Sequence, residues 1–95
     1  MLKHTKRKGA RAERRAIAIL EAAGYTCTKA GGSLGLFDVI AISAARVRCI
    51  QVKSGGQYCS AVERAQLAIL AVPTNCSKEI WRFPDRCREP RIEVL

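Results

Sequence analysis

The sequence predicts an α/β domain in which a mixed central sheet is flanked by helices, in the order helix, three strands, helix, then one or two strands. Three observations carry this. An Ala-rich stretch closed by a glycine opens the chain, two β-patterned runs surround a short break, and a capping box precedes a second helical stretch.

From about Gly9 to Ala23 alanine is interspersed with Arg and Glu, and Gly24 stands where a helix stops. Ile17 and Leu20 define its inward stripe, with Ala16 and Ala23 alongside. Residues 1–8 show no hydrophobic periodicity and are expected to form a basic, mobile arm ahead of a single domain over residues 9–95. Thr26 to Lys29 reads as a short strand, and Gly31-Gly32-Ser33-Leu34-Gly35 as a flexible segment. Phe37–Ile42 and Val47–Lys53 follow as strands around Ser43–Arg46. Both faces of the first of these are apolar, which predicts a central position covered by helices. Ser60-Ala61-Val62-Glu63 is a capping box, in which a serine hydroxyl and a glutamate satisfy free N–H groups at a helix start. That helix is expected to run to about Ala71, ahead of Pro73. Glu79 to Phe83 alternates as a strand, and Arg91 to Val94 as one more.

The 95 residues carry 17 Lys and Arg against 8 acidic residues, a net charge of +9. Such an excess points to a polyanionic partner, because each cation that neutralises a phosphate releases a condensed counterion. A membrane surface is the weaker option, since no helix combines a basic face with bulky apolar anchors. No apolar run approaches the roughly 20 residues that cross a bilayer. The basic N-terminus has no apolar stretch behind it, so a secretion signal is not expected and a cytoplasmic location is. Cys27, Cys49, Cys59, Cys76 and Cys87 form no C-x-x-C pair, which excludes a zinc ribbon and a thioredoxin-like motif. Free thiols in a reducing compartment fit them, with no assigned chemistry. So small a domain leaves much surface uncovered, and a dimer is a natural way to gain stability.

The chemistry rests on register. A two- or four-residue loop centred on Ala44-Ala45 pairs Ile42 with Val47, Ile40 with Cys49 and Asp38 with Gln51. Opposed residues share a face, and Lys53 points the same way two residues on. A carboxylate, a carboxamide and an ammonium therefore converge at one end of a hairpin, although Ala-Ala is not the usual chemistry of a tight turn. Glu13, four residues before Ile17, shares the helix face that packs on the sheet, and a glutamate there is costly unless paired or bound to a metal. Arg14 and Arg15 diverge to the sides of the helix, where phosphates could be met. Oxygen ligands from Glu13, Asp38 and Gln51, with the carbonyl of Val52, suit Mg²⁺ or Mn²⁺ better than zinc. Such an ion polarises a phosphate oxygen and acidifies water, and Lys53 could stabilise charge developing on the phosphoryl oxygens. The Asp…Gln-x-Lys spacing alone arises by chance in roughly one sequence in ten, so strand context, the inward Glu13 and the basic charge add the specificity.

Lys8-Gly9-Ala10-Arg11-Ala12-Glu13-Arg14, the strand and loop through Lys29-Ala30-Gly31, Asp38-Val39-Ile40-Ala41 and Ile50-Gln51-Val52-Lys53 resemble the archaeal-type Holliday-junction resolvases of the PD-(D/E)xK nuclease superfamily. The resemblance covers residues 8–54 well and the rest loosely. It implies a restriction-endonuclease-like fold and a Mg²⁺-dependent homodimeric endonuclease that nicks opposed strands of a four-way DNA junction. It further implies that Glu13, Asp38, Gln51 and Lys53 are catalytic, that Val52 gives its carbonyl to the metal, that Arg14 and Lys29 contact DNA, and that Ser33 lies in a catalytic loop. Two departures stand out. Gln51 occupies a position where most members carry glutamate, so the site loses a negative charge, and Lys29 replaces an arginine clamp with a point charge.

Lys6, Arg7, Lys8 and Arg11, with few carboxylates near them, are expected to meet the DNA backbone, whereas His4 has no second ligand beside it. Trp81 and Phe83 share one strand face and are expected to be core. Two alternatives remain: a nuclease of the same fold acting on flap, single-stranded or nicked DNA, and a non-catalytic DNA-binding module derived from such a nuclease. Neither a small-molecule cofactor nor a membrane partner is expected.

Overall fold

The computed structural model describes residues 2–30 and 36–95, with side chains from residue 9 onward. Helix α1 spans Leu2–Ala22, so residues 2–8 continue the helix and do not form the separate arm expected from their lack of apolar periodicity. Lys and Arg are good helix formers, and a single Gly9 costs only about 1 kcal/mol against alanine, too little to force a start there. The helix ends as Gly24 predicts. With φ at +97°, Gly24 donates to Glu21 O at 3.0 Å while Tyr25 donates to Leu20 O at 3.0 Å, a Schellman closure.

Strands β1 (Thr26–Lys29), β2 (Val39–Ile42), β3 (Val47–Ser54), β4 (Cys76–Phe83) and β5 (Arg91–Val94) form one sheet in the order β1-β2-β3-β4-β5. The first three pair antiparallel, β3 pairs parallel with β4, and β5 returns antiparallel to β4. A parallel pair needs a crossover, which here carries helix α2 (Ala61–Ile69).

From Val39 to Ile42 the β2–β3 register is the expected one: Ile42 faces Val47 and Ile40 faces Cys49. The turn chemistry missed in the sequence belongs to Ser43. Its N–H donates to Arg46 O at 2.9 Å, and its Oγ accepts from Arg46 N at 3.2 Å. The serine closes the loop by itself, so Ala-Ala is tolerated at the tip.

Alternation separates two faces. Ala12, Ala16 and Leu20 of α1 pack in one buried cluster with Val39, Ala41, Ile50, Trp81 and Phe83. The inward stripe therefore runs through Ala12, Ala16 and Leu20 at four-residue spacing; Ile17 flanks it, and Ala23 lies exposed beyond the helix end. Beneath it Arg48 is clamped on the buried Glu79 by two hydrogen bonds of 2.8 and 2.7 Å. Ser77 Oγ and Trp81 Nε1 also donate to Glu79, at 2.6 and 2.9 Å. Burial pushes the Glu79 carboxyl up, but these hydrogen bonds together outweigh it and hold it below the usual carboxylate range.

Helix α2 covers the opposite face over β3 and β4. Its Leu67 is fully buried, and Lys78 Nζ donates to Leu67 O, Ala68 O and Leu70 O at 2.8, 2.9 and 2.8 Å. This ammonium satisfies carbonyls that a helix end leaves free, and α2 stops at Ile69, short of the Ala71 expected from Pro73. The second face of β2 is not covered: Ile42 is 47% exposed, contrary to the expectation from its two apolar faces. No helix of the described residues is long and apolar enough to cross a membrane.

Candidate active site

Asp38 precedes β2, whose pairing with β3 ends at Val39 opposite Ile50, so Asp38 does not face Gln51 as the even-loop register predicts. Its N–H donates to Ile50 O at 2.8 Å, and its carboxylate accepts the Val52 N–H at 2.8 Å. This carboxylate therefore lies across the β3 backbone at Val52, between the two residues expected to share its site. Val52 engages it through its N–H, whereas the sequence led us to expect a role for its carbonyl.

From α1, Glu13 reaches the same end of the sheet. Burial raises its carboxyl above the usual range, the nearby Asp38 charge raises it further, and Lys29 opposes both. The two acidic side chains thus lie within electrostatic reach of each other, with Lys29 opposing their charge, an arrangement that favours a cation beside them. Glu13 and Asp38 fit a divalent ion in donor chemistry. Yet among the described residues no group of three His, Cys, Asp or Glu side chains is gathered closely enough to hold one.

The third expected oxygen ligand looks elsewhere. Gln51 is buried; its Nε2 donates to Glu63 Oε2 at 3.1 Å, and its Oε1 accepts from Cys59 Sγ at 3.6 Å. Lys53 Nζ lies 3.2 Å from the same Glu63 oxygen. The structure thus brings Gln51 and Lys53 together on one face, as alternation requires, but joins them to α2. Glu63 was legible in the sequence only as a capping residue, a role it also fills: Ser60 Oγ accepts the Glu63 N–H at 3.1 Å and Ser60 N donates to Glu63 Oε1 at 3.2 Å. The Ser60 hydrogen bond leads the causes that hold the Glu63 carboxyl below its usual range, against a smaller upward push from burial. Cys59, to which the sequence assigns no chemistry, is the thiol on Gln51.

Of the expected DNA-contacting residues, Arg11, Arg14 and Lys29 are exposed. Lys6, Arg7 and Lys8 lie in α1 with side chains outside the described residues, as is that of His4, and Ser33 lies outside them altogether. Arg15 is not available to phosphate in the way expected. It hydrogen-bonds Cys87 O at 2.8 Å and Arg88 O as well, with its guanidinium 4.8 Å from the Phe83 ring centre. It ties α1 to the β4–β5 connection. Beside it a cleft of about 160 Å³ is lined by Arg11, Ala12, Arg15, Ser54, Gly55, Phe83, Pro84, Asp85 and Arg86. Arg86 holds φ at +65°, the third position of a turn in which Cys87 N donates to Pro84 O at 3.2 Å. Glycine usually fills such a position, so the arginine accepts backbone strain there. No sequence pattern marked it.

The family model of archaeal Holliday junction resolvases matches residues 4–78 of the chain. No curated protein matches it in sequence. The crystal structure of Hjc from Archaeoglobus fulgidus, described as a Holliday junction resolvase from an archaeal hyperthermophile, superimposes with a TM-score of 0.74 at 24% identity. The match covers 92% of this chain and 72% of that one, so the two share the restriction-endonuclease-like fold. With a family match running through both helices and β1 to β3, the chain belongs to the archaeal Holliday junction resolvase family and is a DNA-binding nuclease of that kind.

Proposed function

We propose that this resolvase hydrolyses phosphodiester bonds of four-way DNA junctions with a divalent ion, Mg²⁺ with Mn²⁺ as a substitute, at a site made by Glu13, Asp38, Gln51 and Lys53. The observation that carries the reading is the position of Asp38, bonded to Val52 N within the Gln51-Val52-Lys53 segment and near enough to Glu13 to raise its carboxyl. Glu13 and Asp38 would hold the ion, with the Val52 carbonyl and a Gln51 Oε1 released from Cys59 while Nε2 stays on Glu63 completing an oxygen set. Bound there, the ion supplies Lewis acidity toward the scissile phosphate and lowers the pKa of water. Lys53 presents its ammonium beside Glu63 to charge developing on the phosphoryl oxygens. Arg11, Arg14 and Lys29, which are exposed, would meet the DNA backbone, together with Lys6, Arg7 and Lys8 of the same basic α1 sequence. The Arg11–Arg86 cleft offers a seat for a neighbouring phosphate. Ser33 belongs to the segment between β1 and β2, whose ends flank this site.

Two opposed nicks need two sites, and a homodimer supplies them. Val62 and Ile69, seven residues apart on one face of α2, are 68% and 83% exposed, which supports association through apolar surface. The test is incubation of a labelled four-way junction and a matched duplex, with and without Mg²⁺. Symmetric nicks in the junction, only with metal, are expected. Junction binding with no cleavage under either Mg²⁺ or Mn²⁺ would leave the non-catalytic DNA-binding reading.

A further inference from the structure

A carboxylate only accepts hydrogen bonds, an ammonium only donates, and a carboxamide does both at different atoms. At the junction of β3 and α2 these three groups meet in one arrangement. Glu63 Oε2 takes Gln51 Nε2 at 3.1 Å and Lys53 Nζ at 3.2 Å, while Oε1 takes Lys53 Nζ at 3.4 Å and the Ser60 N–H at 3.2 Å. Gln51 is 9% exposed, so its amide is held where water contributes little. Its Oε1 is turned to the Cys59 thiol at 3.6 Å, and flipping the amide would set Oε1 against Glu63 Oε2. Position 51 therefore requires a donor toward α2. A glutamate there would set two carboxylates at hydrogen-bond distance, with only Lys53 to offset them.

We propose that Gln51 and Glu63 form a matched amide–carboxylate pair, and that Glu63 is the positioning residue that fixes Lys53 and the Gln51 amide at the site. The negative charge missing from β3 stands instead on α2, one helical turn from its cap. The inference rests on the reading of Lys53 and Gln51 as parts of the nuclease site, while the pairing itself rests on geometry alone. Glu63 acts through Lys53 and Gln51, not on the phosphate.

Four variants test this: Q51E, E63Q, the exchanged double Q51E/E63Q, and S60A. Glutamine serves as well as glutamate in a capping box, so E63Q removes the charge and keeps the helix start. Thermal midpoints without metal give the first readout. Q51E is expected to lower the midpoint, and the double variant to recover most of the loss, because the amide and the carboxylate have only traded places. Cleavage of a labelled four-way junction with Mg²⁺ gives the second. E63Q is expected to lower kcat by roughly 10–100-fold, the usual loss when a supporting partner is removed, with KM nearly unchanged. The double is expected to regain rate over either single. S60A, whose lost hydroxyl bonds the Glu63 N–H and not its carboxylate, should lower the midpoint and leave kcat as it was. Additive midpoints in the double, or E63Q cutting at the wild-type rate, would overturn the proposal. A wild type that binds but never cuts overturns the nuclease reading instead, and the metal-free midpoints still decide the pair.

Discussion

Replacing Asp38 separates its structural work from its chemistry, because hydrogen bonding needs only an acceptor oxygen while holding an ion needs the charge. Its Oδ2 accepts the Val52 N–H at 2.8 Å. D38N would keep an acceptor there but lose the charge, turning a charge-assisted bond into a neutral one of about half its strength. A neutral bond contributes about 1 kcal/mol, so D38N should lose no more than about that, partly offset by relief of the repulsion with Glu13. Alanine leaves the Val52 N–H unpaired, at about 1–3 kcal/mol. For a chain of this size each kcal/mol moves the midpoint by about 4–8 °C, so the two variants should be resolved by thermal melting. Cleavage should not follow stability. Losing a ligand of the ion removes about 3 kcal/mol or more of transition-state stabilisation, at least ~100-fold in rate, for asparagine and alanine alike. The assay pairs metal-free melts with single-turnover nicking of a four-way junction. An asparagine variant that nicks within about tenfold of wild type, or an alanine variant as stable as the asparagine one, would refute this division of labour.

Three further outcomes follow from the geometry. Burial and Asp38 raise the Glu13 carboxyl, so its ionisation opposes folding: stability is full below its unfolded-state pKa and is lost as pH rises through the folded one. E13Q should therefore melt higher than wild type near neutral pH without metal, gain little below about pH 4, and fail to cleave; pH-resolved melts check it. Glu79 is the opposite case. Held low by Arg48, Ser77 and Trp81 against its burial, it stabilises the fold above its unfolded-state pKa, and that contribution disappears as pH falls through its folded value. E79A strands the Arg48 guanidinium and should cost about 3–5 kcal/mol in urea unfolding, with a shallower loss in acid than wild type. Alanine at Arg11, Arg14 or Lys29 should weaken junction binding and flatten its dependence on salt by about 0.9 in log–log slope for each phosphate no longer neutralised, with fluorescence anisotropy as the readout.

The hairpin register was readable because a period-two pattern admits only one pairing around an even loop, and Ile40 with Cys49 confirms it. The Schellman stop at Gly24 and the capping box at Ser60 were equally local, and each was marked by residue type. The start of α1 was not, because a run of cations has no apolar rhythm even where it is helical. What stayed hidden in the site was the meeting of distant segments. Glu63 reaches Gln51 and Lys53 across the crossover, and nothing in a capping motif announces a second use of its carboxylate. That pairing also changes what Gln51 means. Read alone, it is a ligand one charge short, for which glutamate should bind metal better; facing Glu63, it is the donor the partner needs.

Lys78 and Glu79 stand next to each other on β4 and point through opposite sides of the sheet, the first onto the end of α2, the second onto Arg48 under α1. A slip of one residue between β4 and β3 would exchange them. An ammonium would then meet the Arg48 guanidinium, and a carboxylate would meet the helix carbonyls, so both faces would be penalised at once. The parallel pairing is in this sense keyed by charge, as a lock is by the cut of its wards. Since Lys53 pairs with Arg82 in that same ladder, the key on β4 also decides where the ammonium of the site comes to rest.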